Sequence, residues 1–328
     1  MKKEIIVFII VLLTPLSSMV SGIDENGYDI NDAAHFKYYE NDENIIYWYE
    51  WWYANIKNED KAIMIFFLTF GDLNNPLLSI AGSFAFFFKD NERISSFVSF
   101  PFIPYHLDYE KCNVSILNNR FYEEDGKFFV EHNGNDLKIY LEIYPQGERF
   151  GSFCNIDEWQ WMSWYVASPY GYGKAKVWFD GNEYYFEGNA YHDHNWGIAK
   201  FYQLKWDWGE FSLGDMALIY GFVEGKNEML GGVHIVKQDE HIFVPYGKSD
   251  MEILEWKRFV FEKKPEKIFI SANDKNINLE MNLELYKFFY IIEELKLKPY
   301  LMGKASGRLK IYNEEIFFFD IKGFYEHR

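Results

Sequence analysis

The 328 residues include 32 Phe, 25 Tyr and 11 Trp, so 21% of the chain is aromatic, beside 48% hydrophobic and 25% charged residues. Such a chain buries one large core or two smaller ones, which excludes disorder and coiled coil. A formal charge of −17 repels phosphate backbones and anionic headgroups, so neither nucleic acid nor an anionic lipid surface is an expected partner.

In chain order, Lys2 and Lys3 precede an apolar run at 5–13, then Pro15 and Val20-Ser21-Gly22. This is the pattern of a signal peptide over residues 1–22, too short for a membrane span, and it predicts an exported protein, extracellular or in the cell envelope. Residues 23–44 read as a lead-in. From Ile45 onward, runs rich in Phe, Tyr, Val and Ile alternate with Asn, Asp, Gly and Lys clusters, the punctuation of strands and turns. The strongest runs are 62–70, 79–88, 113–122, 127–131, 137–144, 174–179 and 183–190. After Gly197 come 201–208, 212–223, 230–236, 267–271, 278–286, 303–312 and 315–325. Residues 287–297 read as a short helix. Hairpin turns at Glu124-Asp125-Gly126-Lys127, Asp180-Gly181-Asn182 and Asn313-Glu314 make antiparallel meanders. About fourteen strands or more exceed one barrel of about eight, so the fold class is all-β with two barrel-like sheets. Their boundary is placed near Lys200, giving domains 45–199 and 200–328. Cys112 and Cys154, the only cysteines, form one disulfide in an oxidising compartment or remain two buried thiols.

Chemistry concentrates in Gly188-Asn189-Ala190-Tyr191-His192-Asp193-His194-Asn195-Trp196-Gly197. On a strand, alternation puts His192, His194 and Trp196 on one face and Tyr191, Asp193 and Asn195 on the other. One face then lines a pocket, or both belong to a buried hydrogen-bond network that pins two sheets. The His-x-His pair also suits a metal ion, but no third ligand is legible nearby: Ile198 and Ala199 stand where a cupin-type Glu would follow, and His234 is remote. No metal and no cofactor are expected. In Tyr47-Trp48-Tyr49-Glu50-Trp51-Trp52-Tyr53, alternation groups Glu50 with Trp48 and Trp52, so the carboxyl sits either in an apolar setting that raises its pKa or in a pair with an Arg. Trp206 and Trp208 share a face with Asp207 opposite, as wall of a site or as core. No nucleophile elbow, phosphate loop, dinucleotide fingerprint or Cys-x-x-Cys is present.

The segments Glu50-Trp51-Trp52-Tyr53 and Tyr191-His192-Asp193-His194-Asn195-Trp196-Gly197 resemble the carotenoid 1,2-hydratases (hydroxyneurosporene synthases), a family related to lipocalin-like proteins and fungal Diels-Alderases. The resemblance covers Ile45 to the C-terminus and implies two lipocalin-like antiparallel β-barrel domains around a hydrophobic ligand cavity. It implies a long apolar ligand, isoprenoid or lipid, and hydration, cyclisation or isomerisation of it. His194 and Trp196 match positions of the family's site. The family's Tyr-x-Asp pair has its nearest counterpart in Tyr220-Gly221-Phe222, where Phe222 cannot donate a proton, so the acid falls to Glu50, Asp193 or Asp215. The expected catalytic set is therefore Glu50, Asp193, His194, Trp196 and Tyr220. The expected ligand wall is Trp48, Trp52, Tyr53, Tyr191, His192, Asn195 and Trp206. A non-catalytic ligand-binding or surface protein, or a carbohydrate binder with exposed Trp platforms, are the other readings.

Overall fold

The computed structural model describes residues 27–90, 92–100, 102–258, 263–292 and 297–327. The expected signal peptide lies outside them. Among the described residues no helix is long and apolar enough to cross a membrane. The structure is almost wholly antiparallel strand, with a four-residue helix α1 (Phe36–Tyr39) before the first strand.

Thirteen strands form the first sheet: β1 (Trp48–Lys57), β2 (Lys61–Gly71), β3 (Ser79–Lys89), β4 (Glu92–Phe100), β5 (Tyr105–Leu107), β6 (Asn113–Ile116), β7 (Asn119–Glu124), β8 (Lys127–Asn133), β9 (Leu137–Gln146), β10 (Phe150–Asn155), β11 (Trp161–Ser168), β12 (Tyr170–Phe179) and β13 (Asn182–Ile198). Its order is β4-β3-β2-β1-β13-β12-β9-β8-β7-β6-β5. The long β13 pairs β12 through its first half and β11 through its second, with β1 along its other edge. Nine strands form the second sheet: β14 (Trp206–Ser212), β15 (Met216–Glu224), β16 (Met229–Lys237), β17 (Glu240–Pro245), β18 (Ser249–Arg258), β19 (Lys263–Asp274), β20 (Ile277–Ile292), β21 (Leu297–Ile311) and β22 (Glu314–His327), in the order β17-β16-β15-β14-β22-β21-β20-β19-β18. Both curl into half-barrels, the two lipocalin-like all-β units that the strand pattern and the resemblance predict. In the first, His132 on β8 bonds Ser83 on β3 (2.8 Å) and Ser96 on β4 (3.0 Å), tying strands far apart in the order across the curl.

All ten residues of β1 are buried, because neither of its faces meets water. Trp48, Trp52, Ala54 and Ile56 point into the first half-barrel; Tyr49, Trp51 and Tyr53 pack in a second core shared with Trp208 and Phe324 of the other sheet. Each such ring removes about 150–250 Å² from water, about 4–6 kcal/mol gross at about 25 cal/mol per Å², which explains why aromatics fill both parities. The sheets are also clasped by a sealed ion pair: Lys57 Nζ on β1 donates to Glu210 Oε1 and Oε2 on β14 at 2.6 and 2.7 Å, and Asn55 Nδ2 donates to Glu210 at 3.1 Å. Burial pushes the Lys57 pKa down and the Glu210 pKa up, each opposed by the other's charge.

Two expectations are corrected. Residues 287–292 continue β20 and Leu297 opens β21, with Phe288 opposite Leu301. A bulge between Leu285 and Lys287 breaks the period-two alternation, which is why the segment does not read as a strand. Cys112 and Cys154 are both free thiols, so the disulfide alternative falls.

Candidate functional site

β1 and β13 pair antiparallel with Glu50 opposite Trp196, Trp52 opposite His194 and Tyr53 opposite Asp193. The two aromatic motifs are thus neighbours, and their alternation sorts them to two sides as expected. Close backbone approach makes the flanking glycines necessary: a Cβ on Gly197 would lie 2.4 Å from the Trp161 carbonyl oxygen, and one on Gly188 2.2 Å from that of Lys57.

The side facing into the first half-barrel is sealed. His192, His194, Trp196, Trp48, Trp52 and Glu50 are all at 0–1% exposure. Residues 29–35, from the stretch that reads as a mere lead-in, close over them. His192 Nδ1 donates to the Tyr53 carbonyl (2.8 Å) and its Nε2 meets Asp32 Oδ2 (2.8 Å). His194 places Nδ1 3.2 Å from the Asn31 carbonyl oxygen and Nε2 3.1 Å from Glu50 Oε1. The His35 backbone N–H donates to the same Glu50 oxygen at 2.7 Å. Indole rings cover the imidazoles: Trp196 stacks on His35 at 3.7 Å and Trp52 on His194 at 4.3 Å between centroids. Burial alone would raise the Glu50 pKa, but the hydrogen bond with His194 and the nearby imidazole of His35 outweigh it and hold the carboxyl below its ordinary value. The expectation of a raised pKa at Glu50 is therefore corrected, and its partners are histidines rather than an Arg. The third donor missing beside His-x-His arrives from afar: His35, Glu50 and His194 bring ligand atoms within 4.8 Å of one another, as do Asp32, Cys112 and His192.

The opposite side opens on a cleft between the sheets, with a cavity of about 80 Å³. Tyr53, Asp193, Asn195 and Trp206 line it, together with Trp51, Trp164, Trp208, Asp207, Phe222 and Glu326. Asp193 gathers three side-chain contacts on this wall. Trp164 Nε1 (3.0 Å) and Tyr191 Oη (2.8 Å) both donate to its Oδ2, and Asn195 Nδ2 approaches Oδ1 at 3.2 Å. Burial dominates those bonds and raises the Asp193 pKa to about 7. Phe222 is on the wall but opposite Asp207 in the β14–β15 register. The Asp207 carboxylate accepts from Tyr325 Oη (2.5 Å) and meets His327 Nδ1 (2.7 Å).

Of the expected residues, then, the cleft brings together Asp193, Asn195, Tyr53 and Trp206, with Tyr191 as partner to the acid. Glu50, His192, His194, Trp48, Trp52 and Trp196 lie in the sealed interior, and Tyr220 is fully buried in the second half-barrel core with no hydrogen bond at its hydroxyl. Trp164 is not among the expected site residues, and Trp208 is there only as wall or core; the sign available for Trp164 is the aromatic density of residues 159–165, and for Trp208 its face shared with Trp206.

No family model matches the chain, and no curated protein matches it. Solved structures do. A crystal structure named for AttH, from Nitrosomonas europaea, superposes with a TM-score of 0.64 at 12% identity, over 90% of this chain and 93% of that one. Kievitone hydratase from Nectria haematococca gives 0.60 at 12% identity, over 95% and 94%. CghA gives 0.51 at 8% identity, over 86% and 88%. The likeness is one of fold.

Proposed function

We propose that this chain binds an apolar, electron-rich small molecule, isoprenoid or lipid, in the cleft between its sheets, and that Asp193 acts there as general acid in a hydratase-, cyclase- or isomerase-type reaction. The observation that carries this reading is a carboxyl group with a pKa of about 7 on an aromatic wall. Proton donation to a C=C bond needs an acid poised near working pH. The Asp193 O–H bond breaks as a C–H bond forms, and the cation left on the neighbouring carbon faces the rings of Trp51, Tyr53 and Trp208. In hydration, water then adds to that carbon and its proton returns to the Asp193 carboxylate; in isomerisation, the carboxylate removes a different proton. Trp164 and Tyr191 both donate to Oδ2, whereas Oδ1 has only the longer 3.2 Å contact from Asn195, so Oδ1 is the oxygen that delivers.

An enclosed space of about 80 Å³ is smaller than the apolar cavity of about 150 Å³ that takes a benzene. It suits the reacting end of a long ligand. The fold shared with a kievitone hydratase supports a hydratase-type reading, and the resemblance of residues 50–53 and 191–197 supports an isoprenoid substrate. The leader-like residues 1–22 support export. A carbohydrate platform is disfavoured because Trp48, Trp52 and Trp196 are fully buried.

The test pairs native mass spectrometry of protein purified from its own host, which identifies any small molecule it carries, with incorporation of solvent oxygen-18 into acyclic carotenoids and squalene-like polyenes. Wild type is expected to incorporate label, Asp193→Asn not, and the rate to fall as pH rises through about 7. Incorporation undiminished in Asp193→Asn rules out Asp193 as the acid. No turnover of any bound molecule leaves a non-catalytic binding protein.

A further inference from the structure

The sealed cluster beneath β1 and β13 has no part in that chemistry, and its hydrogen bonds leave inward-facing atoms of His35 and Glu50 unpaired among the described residues. Each of three imidazoles stands between two acceptors. His192 lies between the Tyr53 carbonyl and Asp32, His194 between the Asn31 carbonyl and Glu50, and His35 between the Asp29 carbonyl (3.1 Å from Nε2) and Glu50 Oε1 (3.5 Å from Nδ1). A neutral imidazole has one N–H and one lone pair, so whichever tautomer it takes, one lone pair faces an oxygen. His192 meets Asp32 at the 2.8 Å of an ordinary hydrogen bond. His35 and His194, with ring centroids 5.4 Å apart, converge on Glu50 at 0–1% exposure. The atoms pointing inward are His35 Nδ1 and Glu50 Oε2, both fully buried and without a hydrogen-bond partner among the described residues.

We infer that His35, Glu50 and His194 form a structural site for one divalent transition-metal cation. The outer nitrogens, His35 Nε2 and His194 Nδ1, face backbone carbonyls, which is the arrangement that aims the inner lone pairs of metal-ligating histidines. The spacing fits. With bonds of about 2.0–2.1 Å, ligand atoms of a tetrahedral zinc lie about 3.3–3.4 Å apart, and Glu50 Oε1 stands 3.1 Å from His194 Nε2 and 3.5 Å from His35 Nδ1. Bidentate binding by Glu50 would also engage the unpartnered Oε2. Two imidazoles and a carboxylate suit zinc among the available divalent ions. The Asp32, Cys112 and His192 set is the weaker candidate, because its His–Asp distance of 2.8 Å is that of an ordinary hydrogen bond. Since four of the seven residues at 29–35, Asp29, Asn31, Asp32 and His35, bond into the cluster, the cation would be taken up as this segment folds over the strands. It would not exchange afterwards.

The experiment is elemental analysis of the purified chain, followed by unfolding with a colorimetric chelator and refolding with Co²⁺. The expected result is about one metal per chain, released only on unfolding, and the intense visible d–d bands of four-coordinate Co²⁺ after refolding. Glu50→Gln is expected to lose the metal and the bands, while Cys112→Ser and Asp193→Asn keep both. Absence of metal in wild type together with no Co²⁺ spectrum overturns the inference, as does loss in Cys112→Ser with retention in Glu50→Gln. Should Glu50→Gln not fold, the wild-type cobalt spectrum still decides. Neither readout depends on activity, so failure here leaves the proposed function standing.

Discussion

Replacing Asp193 with Asn keeps the shape of the side chain and its acceptor oxygen for Trp164 and Tyr191 while removing the titration. In the folded protein the wild-type carboxyl has a pKa of about 7, against 3.8 as the ordinary value. Between those two values the folded state holds a proton that the unfolded state has released. The stability contributed by that proton is therefore complete below about pH 3.8 and is lost as pH rises through about 7. A gap of about three pKa units at about 1.36 kcal/mol each amounts to about 4 kcal/mol in total. Asp193→Asn has no such term. Its stability relative to wild type should climb by up to about 1.4 kcal/mol per pH unit between about pH 4.5 and 6.5 and level off above about pH 8. Urea denaturation of both proteins from pH 4.5 to 8.5 measures this, and comparing the two cancels the other titrating groups. A stability difference that stays flat with pH would show that the carboxyl is already ionised in the cleft, and the argument for an acid at this position would fail with it.

Lys57→Met leaves Glu210 buried without its cation and should cost about 3–5 kcal/mol, while Lys57→Met combined with Glu210→Leu should recover most of it, as read from urea midpoints. His132 and His241 have pKa values lowered to about 4 by burial, so the unfolded chain takes up protons first and stability should fall as pH drops from about 6.5 to 4; His132→Gln should lessen that fall by up to about 3 kcal/mol in the same titration. With no disulfide, a thiol reagent should find two reactive groups per chain after unfolding without reductant and none at Cys112 in the native protein, where burial raises the thiol pKa well above its usual value. One group or none after unfolding would contradict the free-thiol state.

Much of this architecture is written in period-two alternation. That rule alone separates His192, His194 and Trp196 from Tyr191, Asp193 and Asn195, and groups Glu50 with Trp48 and Trp52, because strand geometry leaves no other choice. It does not say which face meets a cavity. Both faces of β1 and β13 are apolar and aromatic, so composition cannot tell a packed interior from a cleft wall, and Glu50 looked as eligible for the cleft as Asp193. Long-range partners were hidden for a different reason. Asp32 and His35 come from a segment with almost no regular structure, and nothing local ties them to residues about 160 positions later. Trp164 is similar: its bond to Asp193 depends on β11 joining the second half of β13 where β12 leaves off, a branching that no local pattern encodes.

Because β13 serves two environments at once, its sequence is an interleaved text. Even positions from His192 to Trp196 belong to the sealed interior; the odd ones belong to the cleft. Substitutions at one parity need not disturb the other, so the acid at 193 and its neighbour at 195 can be exchanged for other chemistries while the interior stays constant. Deleting a single residue ahead of His192 has the opposite effect, since it would turn His192 and His194 toward the cleft and the acid toward the core. Directed evolution of this scaffold should therefore randomise 193 and 195 with 164 and 208, and leave strand length untouched.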